Sequence, residues 1–96
     1  MSTLYILYSP KLKKYYTGIT TGRVQERLEK HNLSTYGSHF TSQANDWIIK
    51  LSLEIGTYTQ ARRMELYIKK RKSRIYIEEL IENETMQKIL KEKTAG

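Results

Sequence analysis

In this 96-residue chain, Glu65 lies four positions after Ala61 and three before Ile68, inside the apolar stripe of a helical pattern. A carboxylate so placed is half-buried and must be paired or metal-bound. Around it stand Arg62, Arg63, Lys69, Lys70, Arg71, Lys72 and Arg74. A salt bridge to Lys69 at i+4 would satisfy it, and for this residue alone that is the simpler reading. A hard oxygen donor beside a surface that attracts phosphate is also what a Mg²⁺ site uses. Arg27 and His31 are likewise four apart and share one helix face. The guanidinium offers a fork for phosphate, and the imidazole can donate to a phosphate oxygen or shuttle protons there. For the pair alone a solvated helix face is the simpler reading. The chain has eight tyrosines, of which Tyr5, Tyr8, Tyr15 and Tyr16 fall in two strand-like segments. Phenols suit half-buried strands, and beside cations they can also bind phosphate or give up a proton.

The elements that must position these groups follow from pattern. Leu4–Tyr8 and Tyr15–Thr20 are rich in aromatic and branched residues and are separated by Ser9-Pro10-Lys11-Leu12-Lys13-Lys14, so they predict a β-hairpin. Gly22 punctuates its exit. Val24 to His31 reads as a short helix with Val24 and Leu28 on its buried side and Asn32 as its stop. Residues 33–46 are polar and predict a long loop with room for one helical turn; long loops in compact domains are often functional. Trp47–Ile55 reads as a third strand whose later half alternates Leu51, Leu53 and Ile55 against Lys50, Ser52 and Glu54. Thr59 is the expected N-cap of a helix running to about Lys72 with Ala61, Met64 and Ile68 inward. Ser73 caps a further helix ending near Asn83, with Ile77, Leu80 and Ile81 buried. Residues 84–96 are expected to add an amphipathic turn or two through Met86, Ile89 and Leu90 and then fray. The expected organisation is one α+β domain over residues 1–83, a three-stranded antiparallel sheet flanked by helices in the order ββα-loop-βαα, with a tail at 84–96.

Composition narrows the function. The length is one domain's worth, and 39% apolar with 28% charged residues is a globular composition. No cysteine is present, which excludes disulfides and thiolate metal sites and fits a reducing, cytoplasmic setting. The N-terminus does not read as a signal peptide, and no apolar run is long enough to span a membrane. The net charge of +7 divides into 14 Lys/Arg against 5 Asp/Glu over residues 1–76, and 3 against 5 over 77–96. A basic body suggests a polyanion partner, though basic surfaces also serve solubility alone.

In combination these features resemble the GIY-YIG nuclease superfamily. Thr3-Leu4-Tyr5 followed after ten residues by Tyr16-Thr17-Gly18 looks like its paired tripeptides, with Thr3, Leu4 and Thr17 replacing glycine and two isoleucines. Arg27-Leu28-x-x-His31-Asn32 looks like its arginine helix, and Ala61-x-x-x-Glu65-x-x-Ile68-Lys69-Lys70 like its metal-glutamate helix. The resemblance covers roughly residues 3–82 and is nearest to short, free-standing bacterial members similar to the nuclease domain of the excinuclease incision subunit. It implies metal-assisted hydrolysis of phosphodiester bonds in DNA, structured or branched DNA included, with one Mg²⁺ or Mn²⁺. By the same resemblance Glu65 holds the metal, Arg27 clamps the scissile phosphate, Tyr5 helps activate water, Tyr16 orients the water or the phosphate, and His31 lies near the phosphate. Lys14, Arg23, Arg62, Lys69, Lys70, Lys72 and Arg74 are the expected nucleic-acid contacts, with DNA preferred over RNA as partner. Two departures stand out: an extra residue between Tyr16 and Arg27, near Gly22, and no asparagine at 74–78, where many members carry one. The rival readings are a binding module of this fold with weak or lost catalysis, and a protein-interaction domain with a basic surface. Oligomeric state and pathway are not legible.

Overall fold

A computed structural model describes residues 1–32 and 44–95. Among them the order is β1 (Ser2–Ser9), β2 (Lys14–Thr20), α1 (Val24–Asn32), β3 (Ile48–Ile55), α2 (Tyr58–Arg71), α3 (Arg74–Glu82) and α4 (Glu84–Thr94). The expected loop at 33–46 lies outside the described residues up to position 43. The expected hairpin is formed, with β1 antiparallel to β2 from Thr3↔Thr20 to Ser9↔Lys14. Its turn places Lys13 at φ 53°, and the Lys13 N–H donates to the Ser9 carbonyl at 2.7 Å. β1 also pairs antiparallel with β3, so the sheet order is β2-β1-β3 and the first strand is central.

A central strand is buried on both faces, and period-two alternation assigns its residues. Leu4 and Ile6 join Ile55, Ala61, Met64, Ile68, Leu80 and Leu90 in the larger core, under α2, α3 and α4. Tyr5 and Leu7 face the other way, with Ala44 and Trp47 buried beside them and Val24 and Leu28 of α1 packed on top. Burying each such large apolar side chain contributes roughly 1.5–3 kcal/mol. The β1–β3 register shifts between Ile6↔Leu51 and Leu7↔Ile49, leaving Lys50 as a bulge. The bulge turns Ile49 to the Leu7 side, while Leu51 and Leu53 stay on the larger core. That is why only the later half of the segment alternates in the sequence.

Three boundaries differ from expectation. The third strand starts at Ile48, with Trp47 buried just before it. The α2 N-cap is Thr57, not Thr59: its hydroxyl accepts from the Gln60 N–H at 3.1 Å. The tail, expected to add an amphipathic turn or two before fraying, holds the 11-residue helix α4, which buries Leu90 and Thr94. Asn83 both closes α3 and caps α4, accepting from the Met86 N–H at 3.1 Å. Among the described residues no helix is long and apolar enough to cross a membrane.

Candidate active site

Tyr5 of β1 pairs with Gly18 of β2. A Cβ at Gly18 would lie 2.6 Å from Cζ and from Oη of Tyr5, and 3.1 Å from Cε2 of Tyr16. Only glycine lets the Tyr5 phenol lie across the neighbouring strand. Tyr16 is two residues away on the same face of β2, its ring centroid 6.5 Å from that of Tyr5.

Helix α1 covers these two rings. Tyr5 Oη and His31 Nε2 are hydrogen-bonded at 3.2 Å, and both residues are only 2% exposed. The His31 ring centroid lies 4.8 Å from that of Tyr16. Burial, and secondarily the Arg27 guanidinium, push the His31 pKa down to about 4. The imidazole is therefore neutral at physiological pH. Arg27, one turn earlier, is half-buried, and its Nε donates to Thr20 Oγ1 at 3.2 Å. The same hydroxyl accepts from the Gly22 N–H at 3.0 Å, so the turn into α1 and the guanidinium are tied to one strand atom.

Helix α2 lies on the opposite face of the sheet, and Glu65 stands at one flank of its buried stripe, 5% exposed. Its Oε1 accepts from Arg62, and its Oε2 from Lys69 Nζ at 3.2 Å. Lys69 also lies 5.6 Å from the centre of the Tyr16 ring, and so links Glu65 to the hairpin. Among the described residues no group of three or more His, Asp or Glu side chains is placed to hold a metal. The Glu65 carboxylate is a hard oxygen donor, the kind of ligand a divalent ion such as Mg²⁺ or Mn²⁺ would accept alongside substrate phosphates and waters. Arg62 and Lys69 are about half exposed, at 51% and 46%, while the Glu65 side chain is 6% exposed, so an ion bound there would have to replace the charge compensation these two cations give it.

The other expected contacts scatter around this centre. Lys14, Arg23, Lys70 and Lys72 are exposed; Lys72 ends α2 in the left-handed region. Arg74 is engaged structurally: it donates to the Lys13 carbonyl at 2.7 Å and to Glu78 at 3.5 Å, and lies 5.6 Å from the centre of the Tyr15 ring. Three positioning groups were absent from the expected set. Gly18 was visible only as part of the tripeptide, Thr20 carried no signal, and Asn32 read as a helix stop. The Asn32 side chain accepts from the Trp47 N–H at 2.7 Å and donates to the Trp47 carbonyl at 3.1 Å. That clip holds the indole edge-on to Tyr16, with centroids 6.5 Å apart.

A search of curated proteins and one of solved structures found no significant match. The family model described as the GIY-YIG catalytic domain matches residues 1–85, which include every element from β1 through α3. With its sheet, its two helices on opposite faces and most of its length matched, the chain belongs to the GIY-YIG nuclease superfamily.

Proposed function

We propose that the protein is a metal-dependent endonuclease that hydrolyses phosphodiester bonds in DNA, structured or branched DNA included. The observation that carries this reading is the buried Tyr5–His31 hydrogen bond beneath Tyr16, with Arg27 on the same helix as His31. Hydrolysis places a water oxygen on phosphorus while the bond to the leaving sugar oxygen breaks. The water must lose a proton as it attacks. Tyr5 can help remove that proton, its phenol held in place by the hydrogen bond to the neutral ring of His31. Tyr5 is only 2% exposed, so the electrostatic contacts of its phenol are little screened by solvent. Arg27, steadied at Nε by Thr20, offers its terminal nitrogens to the phosphoryl oxygens as their charge grows. Tyr16 orients the water or the phosphate. GIY-YIG nucleases generally use a divalent metal; held here by Glu65, Mg²⁺ or Mn²⁺ would supply Lewis-acid stabilisation of that charge.

A second reading, a binding module with lost catalysis, draws on one observation: both Glu65 oxygens are engaged by cations, as a purely structural carboxylate would be. Glu65→Gln separates the two. The amide is nearly isosteric, so packing survives while the charge that would hold a divalent ion is removed. Branched, nicked and single-stranded DNA are incubated with Mg²⁺, Mn²⁺ or EDTA, alongside filter binding. The nuclease reading expects metal-dependent cleavage by the parent protein, cleavage abolished in the variant, and binding retained or tightened. Undiminished cutting by the variant at saturating metal removes Glu65 from the metal site, and a parent protein that binds but never cuts supports the module.

A further inference from the structure

Helix α2 carries a second set of chemically capable side chains on its other flank. Tyr67 is two residues beyond Glu65, so it projects about 200° around the helix from it, and Arg71 one turn later follows Tyr67. With Tyr76 of α3 and Met86, Ile89 and Lys93 of α4 they line a cleft of about 210 Å³. The Arg71 guanidinium carbon lies 4.2 Å from the centre of the Tyr76 ring and 5.8 Å from that of Tyr67. Lys93 Nζ lies 5.4 Å from the Tyr67 ring centre and donates to its phenol oxygen at 3.3 Å. The bond from Lys93, with further help from Arg71, holds the Tyr67 phenol below its ordinary pKa, the mark of a strongly positive spot. No carboxylate is among the described residues that line the cleft. Both cations are exposed, and Ile89 stays 50% exposed at the rim.

We infer that Tyr67, Arg71, Tyr76 and Lys93 form a second nucleic-acid site, one that takes an unpaired strand. Aromatic and guanidinium planes stack bases, and cations at the mouth take the phosphates. A duplex keeps its bases stacked on each other and offers a recess of this kind only its backbone. A base with no partner can enter the cleft. Lys93, Met86 and Ile89 belong to α4 and lie beyond residue 85, where the match to the GIY-YIG domain ends, so half of this cleft is additional to that domain. The inference goes beyond the nuclease reading and does not require it, because the test is binding in EDTA.

The probe is a fluorescein-labelled decathymidylate, followed by anisotropy across a salt series, with the double variant Arg71→Gln/Lys93→Gln against the parent. A charge-matched control, Lys50→Gln/Lys88→Gln, changes the net charge equally at exposed sites outside the cleft. Two lost phosphate contacts at ~0.7 each should make the log–log salt slope shallower by ~1.4. Affinity should fall about tenfold or more, and the control should keep the parent slope. An abasic strand of the same length should bind the parent about tenfold more weakly, because stacking is absent. Equal losses in both variants, or equal binding of the abasic strand, would overturn the site. A lower melting temperature for the cleft variant with unchanged affinity and slope would also overturn it, because the two cations would then only hold α4 on α2.

Discussion

His31 is neutral because burial penalises its cation and Arg27 stands one turn away, and that neutrality has a thermodynamic consequence. The unfolded chain takes up the imidazole proton near the ordinary value of 6.5, the folded chain only near about 4. Between those values the unfolded state binds more protons, so stability is complete above pH 6.5 and falls as the pH drops toward 4. At 1.36 kcal/mol per unit the loss from this one group is on the order of 3 kcal/mol. Urea melts at steps from pH 7 to pH 4 should show this decline in the parent protein, and a flatter curve in His31→Gln. Parallel curves for the two would mean that His31 charges freely in the folded state and that its bond to Tyr5 is not what the geometry indicates. The functional counterpart has the same sign: the neutral ring that holds the Tyr5 phenol persists across the physiological range and is lost only in acid.

Elements in this chain are held in place by short capping contacts, and one junction bears two of them. Asn83 leaves α3 in extended conformation and accepts from the Met86 N–H to start α4, while Gln87 Nε2 donates back to the Leu80 carbonyl at 2.8 Å. Asn83→Ala removes the cap at a cost of ~1 kcal/mol, which a domain of this size shows as a melting point lower by about 4–8 °C. Calorimetry of that variant checks it, and an unchanged melting point would mean that packing of Leu90 alone fixes α4. The element level was also the most legible in sequence, for physical reasons that show where legibility stops. Alternation at Leu51, Leu53 and Ile55 and the stripe Ala61, Met64, Ile68 are local periodicities, and each predicts its own buried face. Thr57 was readable too, since Thr57-x-x-Gln60 is a capping-box pattern, although Gln60 sends its amide to the Lys91 carbonyl at 2.8 Å and so completes only half of the box. The bulge at Lys50 and the Tyr5–His31 bond were not readable, because both depend on which strand or helix arrives opposite. Helix α4 was underestimated because its hydrophobic set is short and draws its order from contact with α2, not from its own pattern.

At the scale of the molecule the charge is sorted. Glu78, Glu79 and Glu82 line the cleft on α3 beside Tyr15, whereas Lys69, Lys70 and Lys72 crowd the last turn of α2 beside Tyr16. Cations at a helix C-terminus complement its dipole, so this grouping is itself stabilising before any ligand is present. The last turn of α2 is thus a basic edge next to the candidate active site, and an approaching duplex meets it together with Lys14 and Arg23. Arg74, Arg62 and Lys69 are discounted, the first because it is bound to the hairpin turn and the other two because they are paired with Glu65. About four phosphate contacts then remain, for an expected duplex salt slope of ~−3.6 at ~0.9 per contact. A fourfold rise in salt should weaken duplex binding by ~150-fold, with little dependence on base sequence. Filter binding of two unrelated duplexes in EDTA from 50 to 200 mM salt measures both features. A nearly flat slope would leave the basic edge without phosphate contacts and favour a protein partner. A steep slope with strong preference for one duplex would require base contacts in addition to the phosphate contacts of this edge.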